Sequence, residues 1–132
     1  MNFPNINCKV QIFSIINPSE DPEKIKIAIS NILPQSDIEN DEFAMSAQSN
    51  RLESLEKIYE ATKSTQSQGV FRRQLENHIK DDATWFYLNK QAAFVNRVIL
   101  CDDSEESPLG PLKVVLTSPK INQVIQFLVR DN

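Results

Sequence analysis

Apolar and polar positions alternate where the chain first becomes regular. Across residues 8–16, Val10 and Ile12 fall on one side and Lys9 and Gln11 on the other, the period of a strand with one buried face. The stretch Asn17-Pro18-Ser19-Glu20-Asp21-Pro22 ends that pattern. Asp21 followed by Pro22 reads as the N-cap and first residue of a helix, because the carboxylate accepts orphan N–H groups and proline has none to lose. Ile25, Ala28, Ile29 and Ile32 then recur at helical spacing until Pro34. Phe43, Met45 and Ala47 alternate within 37–48 and predict a second strand. Asn50 and Glu53 resemble a capping box ahead of a helix whose stripe is Leu52, Leu55, Ile58 and Tyr59. A polar stretch at 63–69 separates it from another helical run carrying Val70, Phe71, Leu75, His78 and Ile79.

The later part of the chain is richer in strand formers. Residues 84–88 and 94–101 are β-prone, and Lys90-Gln91-Ala92-Ala93 between them is short enough to join adjacent antiparallel strands. An acidic connection at 102–107 leads to a strand at 112–117, and Ser118-Pro119 opens a last helix striped by Ile121, Val124, Ile125 and Leu128. The predicted order is β-α-β-α-α-β-β-β-α. Late strands and grouped helices indicate an α+β fold of two layers, a largely antiparallel sheet with helices on one face.

Two layers leave one side of a sheet open. If Val10, Ile12, Phe86, Leu88, Leu112, Val114 and Leu116 face the helices, alternation sends Lys9, Gln11, Phe13, Ile15, Trp85, Tyr87, Asn89, Lys113, Val115 and Thr117 to the other face. Trp85 and Tyr87 then stand side by side with Phe13 near. Such a surface suits either self-association in a symmetric dimer or single-stranded RNA, whose bases stack on aromatics while lysine or arginine meets phosphate.

Composition narrows the chemistry. With 132 residues, 40% apolar and 24% charged, the chain is expected to form one domain, 1–132, with its ordered part at about 8–128. No apolar run approaches the ~20 residues that span a bilayer, and the N-terminus lacks a secretion-signal pattern, so a cytoplasmic location and no membrane contact are expected. The net charge of −4 argues against a broad polyanion-binding surface, and DNA is not an expected partner. Residues 51–100, however, hold eight basic against six acidic side chains, including Arg72, Arg73, Lys80, Lys90 and Arg97. Cys8 and Cys101 read as free core thiols. The lone histidine, His78, has Glu76, Asp81 and Asp82 near it in sequence, but no nucleophile is tied to it by spacing. Gly69 and Gly110 are the only glycines, too few for a phosphate-cradling loop. No metal, cofactor or catalytic residue is therefore expected, and the chain reads as a non-enzymatic binding module.

Three segments are more specific: Phe86-Tyr87-Leu88-Asn89-Lys90-Gln91-Ala92-Ala93-Phe94-Val95-Asn96-Arg97-Val98, Asn17-Pro18-Ser19-Glu20-Asp21-Pro22-Glu23-Lys24, and Glu106-Ser107-Pro108-Leu109-Gly110-Pro111-Leu112. Together, over roughly Cys8 to Leu128, the chain resembles an uncharacterised archaeal family grouped with predicted RNA-binding proteins, with a fold similar to large-subunit ribosomal protein five. The resemblance implies a two-layer α+β domain, a homodimer and no established catalytic mechanism; its RNA-binding label is a fold analogy. Where the family tends to glycine this chain has Asn96, a residue that tolerates positive φ. Where the family is more basic it has Gln66, Gln68 and Gln74.

The polar triplet Asn89, Lys90 and Gln91 has two readings. It is a hairpin connection, or it is a recognition tip in which Lys90 meets an anion and Asn89 or Gln91 reads amide or base edges, with Arg97 beside it. The candidate binding residues are Asn89, Lys90, Gln91, Arg97, Trp85, Tyr87, Arg72 and Arg73, and the expected partner is RNA or a ribonucleoprotein. The alternative is a structural or protein-interaction subunit whose sheet face serves association only.

Overall fold

In the computed structural model, which describes residues 3–64, 67–101 and 109–129, six strands form a single sheet in the order β2-β3-β1-β6-β4-β5, with every neighbouring pair antiparallel. The strands are β1 (Lys9–Ile15), β2 (Asp37–Asn40), β3 (Ala44–Ser49), β4 (Ala83–Leu88), β5 (Leu100–Cys101) and β6 (Leu112–Thr117). The helices are α1 (Pro22–Ile32), α2 (Glu56–Ser64, entered through a 3₁₀ turn at Leu52–Leu55), α3 (Gln68–Asn77), α4 (Lys90–Phe94) and α5 (Ile121–Leu128).

The alternation read from sequence sets the register. Val10, Ile12, Phe86, Leu88, Leu112, Val114 and Leu116 are all fully buried against the helical layer. Helix stripes supply the other half of the core: Ile25, Ala28, Ile29 and Ile32 from α1, Phe71 and Leu75 from α3, Val124 and Leu128 from α5. Phe71 meets Phe86 edge-to-face with centroids 4.8 Å apart. Asp21 caps α1 as expected, its Oδ1 accepting from the N–H of Glu23 at 3.0 Å. The capping box expected at Asn50 does not form, and the 3₁₀ turn begins at Leu52 without a side-chain cap.

Two segments depart from the predicted order. The single strand expected over 37–48 is a hairpin, because Asp41 Oδ1 accepts from the N–H groups of Phe43 (2.7 Å) and Ala44 (2.9 Å) and reverses the chain. Phe43 consequently sits at an exposed turn instead of pointing inward. The strand expected over 94–101 shrinks to Leu100–Cys101, since Lys90–Phe94 forms α4. Asn89 caps that helix, its Oδ1 accepting from Ala92 N–H at 2.8 Å. Asn96 closes it at φ 66°, with Asn96 N–H donating to Ala93 O (3.0 Å) and Arg97 N–H to Ala92 O (2.9 Å), a left-handed helix end of the kind glycine or asparagine provides. The observed order is β-α-β-β-α-α-β-α-β-β-α, and the α+β class stands. The acidic connection at 102–107, Gln66 and the start of the third family-like segment lie outside the described residues.

Candidate nucleic-acid interface

The helices leave the second face of the sheet open, and the antiparallel register arranges it in rows. One row runs Glu39 (β2), Ser46 (β3), Phe13 (β1), Lys113 (β6) and Tyr87 (β4). The next runs Asp37, Gln48, Gln11, Val115 and Trp85. Neighbouring strands lie ~4.8 Å apart, so each row spans about 19 Å. A groove of ≈ 630 Å³ follows the first row, lined among others by Phe13, Ile15, Glu39, Ser46, Tyr87 and Lys113. Phe13 and Ile15 are exposed, at 41% and 64%.

Trp85 is partly covered. The His78 ring stacks on it, with centroids 4.8 Å apart and planes 10° apart, and meets Tyr87 edge-on at 6.0 Å. His78 Nδ1 donates to the Trp85 carbonyl at 2.8 Å, so the proton sits on that nitrogen. Lys113 Nζ lies 4.7 Å from the Trp85 ring centroid, a cation–π contact. His78 is thus an element of the aromatic platform. Among the described residues, no three His, Cys, Asp or Glu side chains gather as a metal site, and no helix is long and apolar enough to cross a membrane.

The predicted binding residues do not form one site. Trp85 and Tyr87 stand on the open face as expected. Asn89 is the cap of α4, and Gln91 is exposed on that helix. Arg97 is exposed just beyond α4, a helix held against α1 by Asn31 Nδ2 donating to Ala93 O at 2.9 Å. Arg73 is exposed on α3, whereas Arg72 Nη2 donates to Val129 O at 2.7 Å and ties α3 to the end of α5.

Lys90 requires a correction: it is no recognition tip. Its side chain is 4% exposed, and its ammonium donates to Ile15 O (3.0 Å), Leu109 O (2.9 Å) and both oxygens of Glu20 (3.1 and 3.2 Å). Three donors thus meet three partners, which is what a buried lysine needs. Glu20 also accepts from Asn17, from its N–H at 3.0 Å and its Nδ2 at 2.7 Å. Burial alone would raise the Glu20 carboxyl, but the Asn17 bonds and the Lys90 charge outweigh it and hold the group below the ordinary carboxylate value of 4.5. Burial raises the Cys8 thiol to about 11 against a bond at Thr117 that lowers it, so Cys8 stays a protonated core group at neutral pH.

Lys113 and Glu39 were absent from the sequence-derived site. Lys113 alternates with Leu112 and Val114, which marks it as outward-facing, but its aromatic neighbours come from strands 26 and 100 residues away by pairing. Alternation places them on the same face as Lys113, and only the strand pairing sets them beside it.

A family model described as RNA binding matches residues 9–118. A UPF0201 protein of Methanothermobacter thermautotrophicus is 34% identical over 125 residues, covering 93% of this chain and 92% of its own. A UPF0201 protein of Sulfolobus acidocaldarius is 33% identical over 112 residues, covering 82% and 77%. Among solved structures, the crystal structure of a UPF0201 protein from Methanococcus jannaschii matches with a TM-score of 0.78 at 29% identity, over 94% of each chain.

Proposed function

The chain belongs to the RNA-binding family matched over residues 9–118, that of the archaeal UPF0201 proteins, and from that membership we propose a non-enzymatic module that holds RNA, free or in a ribonucleoprotein, on its open sheet face. The observation that carries this reading is the row Phe13–Lys113–Tyr87 on the open face, a lysine with an aromatic residue on each neighbouring strand and its ammonium 4.7 Å from the Trp85 ring centroid. Rings accept bases by stacking without regard to sequence, and the lysine between them meets the connecting phosphate. Exposed Arg73 and Arg97 add positive charge farther out.

Filter binding of single-stranded RNA at low and moderate salt tests it. Lys113→Glu is expected to weaken binding about tenfold and to flatten the salt dependence by about one phosphate contact. Absence of binding by the wild type at low ionic strength, or indifference to Lys113→Glu, would overturn the assignment.

A second reading is favoured by Ile15 and Phe43, exposed at 64% and 70%: two copies form a homodimer through this end of the sheet, and the face serves association only. Light scattering is then expected to give a dimer that Ile15→Glu converts to a monomer. A wild-type monomer at high concentration sinks that picture.

A further inference from the structure

We infer that the groove beside Phe13 reads a guanine base of single-stranded RNA, with Phe13 against the face of the base, Glu39 on its Watson–Crick edge and Lys113 on the neighbouring phosphate. The inference rests on the RNA-binding reading above and adds the identity of the base.

Charge sets the orientation. The β2 side of the groove is acidic, with Asp37, Glu39, Asp41 and Glu42 on that strand and its turn, while Lys113 lies on the other side of Phe13. A phosphate is repelled from the first side and attracted to the second, so a nucleotide seated on Phe13 turns its base edge toward β2. The spacing suits a purine. Glu39 and Phe13 are two strands apart, ~10 Å between backbones, and Ser46 between them is small enough to leave the space open. The volume of ≈ 630 Å³ is that of a small-ligand cleft.

The carboxylate selects among bases. Asp41 Oδ1 is already engaged by the turn N–H groups, whereas the Glu39 side chain has no hydrogen bond or ion pair among the described residues. An ionised carboxylate only accepts, through two adjacent oxygens. Guanine alone offers two adjacent donors on its Watson–Crick edge, the N1–H and the 2-amino group. Adenine and cytosine each set an acceptor beside the donor, and uracil flanks its one N–H with two carbonyls. A bidentate match therefore favours guanine, and the other bases leave an oxygen facing an oxygen or a ring nitrogen.

Fluorescence-anisotropy titrations test this with an end-labelled oligouridine and versions carrying one central guanosine, adenosine or inosine. The guanosine oligomer is expected to bind about tenfold tighter than the uridine or adenosine ones, with inosine, which lacks the 2-amino group, in between. Glu39→Gln, an exposed substitution, is expected to remove the guanine preference, bringing the ratio of guanosine-oligomer to oligouridine affinity from about ten to about one. Equal affinity for all four oligomers overturns the base assignment and leaves the RNA reading intact. A guanine preference that survives Glu39→Gln also overturns it. Failure of every oligomer to bind removes both readings.

Discussion

Replacing Lys90 by alanine is expected to lower the unfolding free energy by about 3–5 kcal/mol and the midpoint by roughly 10–20 °C, with RNA affinity of the folded protein unchanged. Removing one partner of a buried pair leaves the other charge uncompensated, and Glu20 is only 9% exposed. The same change orphans the carbonyls of Ile15 and Leu109. Thermal melts followed by circular dichroism check the size of the loss, and a change within about 1 kcal/mol of wild type would return Lys90 to the surface role. The pH dependence gives an independent test. The Glu20 carboxyl is held below 4.5 in the folded protein, so its contribution is fully present above the unfolded value and is lost as pH falls through the folded one. Wild-type stability is expected to drop on acidification below about 4.5, more steeply than that of Lys90→Ala.

This node also explains what the three family-like segments have in common. Asn17 and Glu20 come from one, Lys90 from the second and Leu109 from the third, and Asn17 Nδ2 donates to Leu109 O at 2.9 Å. The residues that make the chain recognisable lock the end of β1, the start of α4 and the approach to β6 together. They are signatures of the fold. The proposed nucleic-acid surface lies elsewhere, on the open face, and is built from alternating positions of β1, β4 and β6.

What was legible follows from the range of each interaction. The strand faces of β1, β4 and β6 were readable because alternation is local and one face is fully buried. The α1 cap was readable because Asp21 and its acceptor bond lie two residues apart. Lys90 was not, since its partners Glu20 and Ile15 lie 70 and 75 residues away and a lysine gives no sign of burial until they are in place. The α4 segment misled for a different reason. Phe94, Val95, Val98 and Ile99 have strand propensity, yet Asn89 and Asn96 fix both ends of a helix, and end chemistry overrode propensity. In β2–β3 a single Asp41 turn did the same to a run that alternates like a strand.

Gln74→Met is expected to destabilise by about 2–5 kcal/mol, although methionine nearly conserves the volume. Gln74 is 5% exposed, and its amide reinforces the β4–β5 pair: Nε2 donates to Cys101 O at 2.6 Å and Oε1 accepts from Tyr87 N–H at 3.3 Å. Among the described residues, β5 pairs with the last two residues of β4. The α3 region is bonded to the same strand, with Thr84 Oγ1 donating to Leu75 O at 2.6 Å and His78 Nδ1 to Trp85 O at 2.8 Å. Methionine satisfies neither strand group, so the amide proton of Tyr87 is expected to exchange faster while amides of β1 keep their protection. The effect reaches the proposed site through Tyr87, whose ring completes the row with Lys113 and Phe13. RNA affinity of folded Gln74→Met should therefore fall, whereas Lys90→Ala, whose bonds go to Ile15 O, Leu109 O and Glu20 and to none of Phe13, Lys113 and Tyr87, should leave it unchanged. Stability within about 0.5 kcal/mol of wild type together with a protected Tyr87 amide would show that β5 holds without the glutamine.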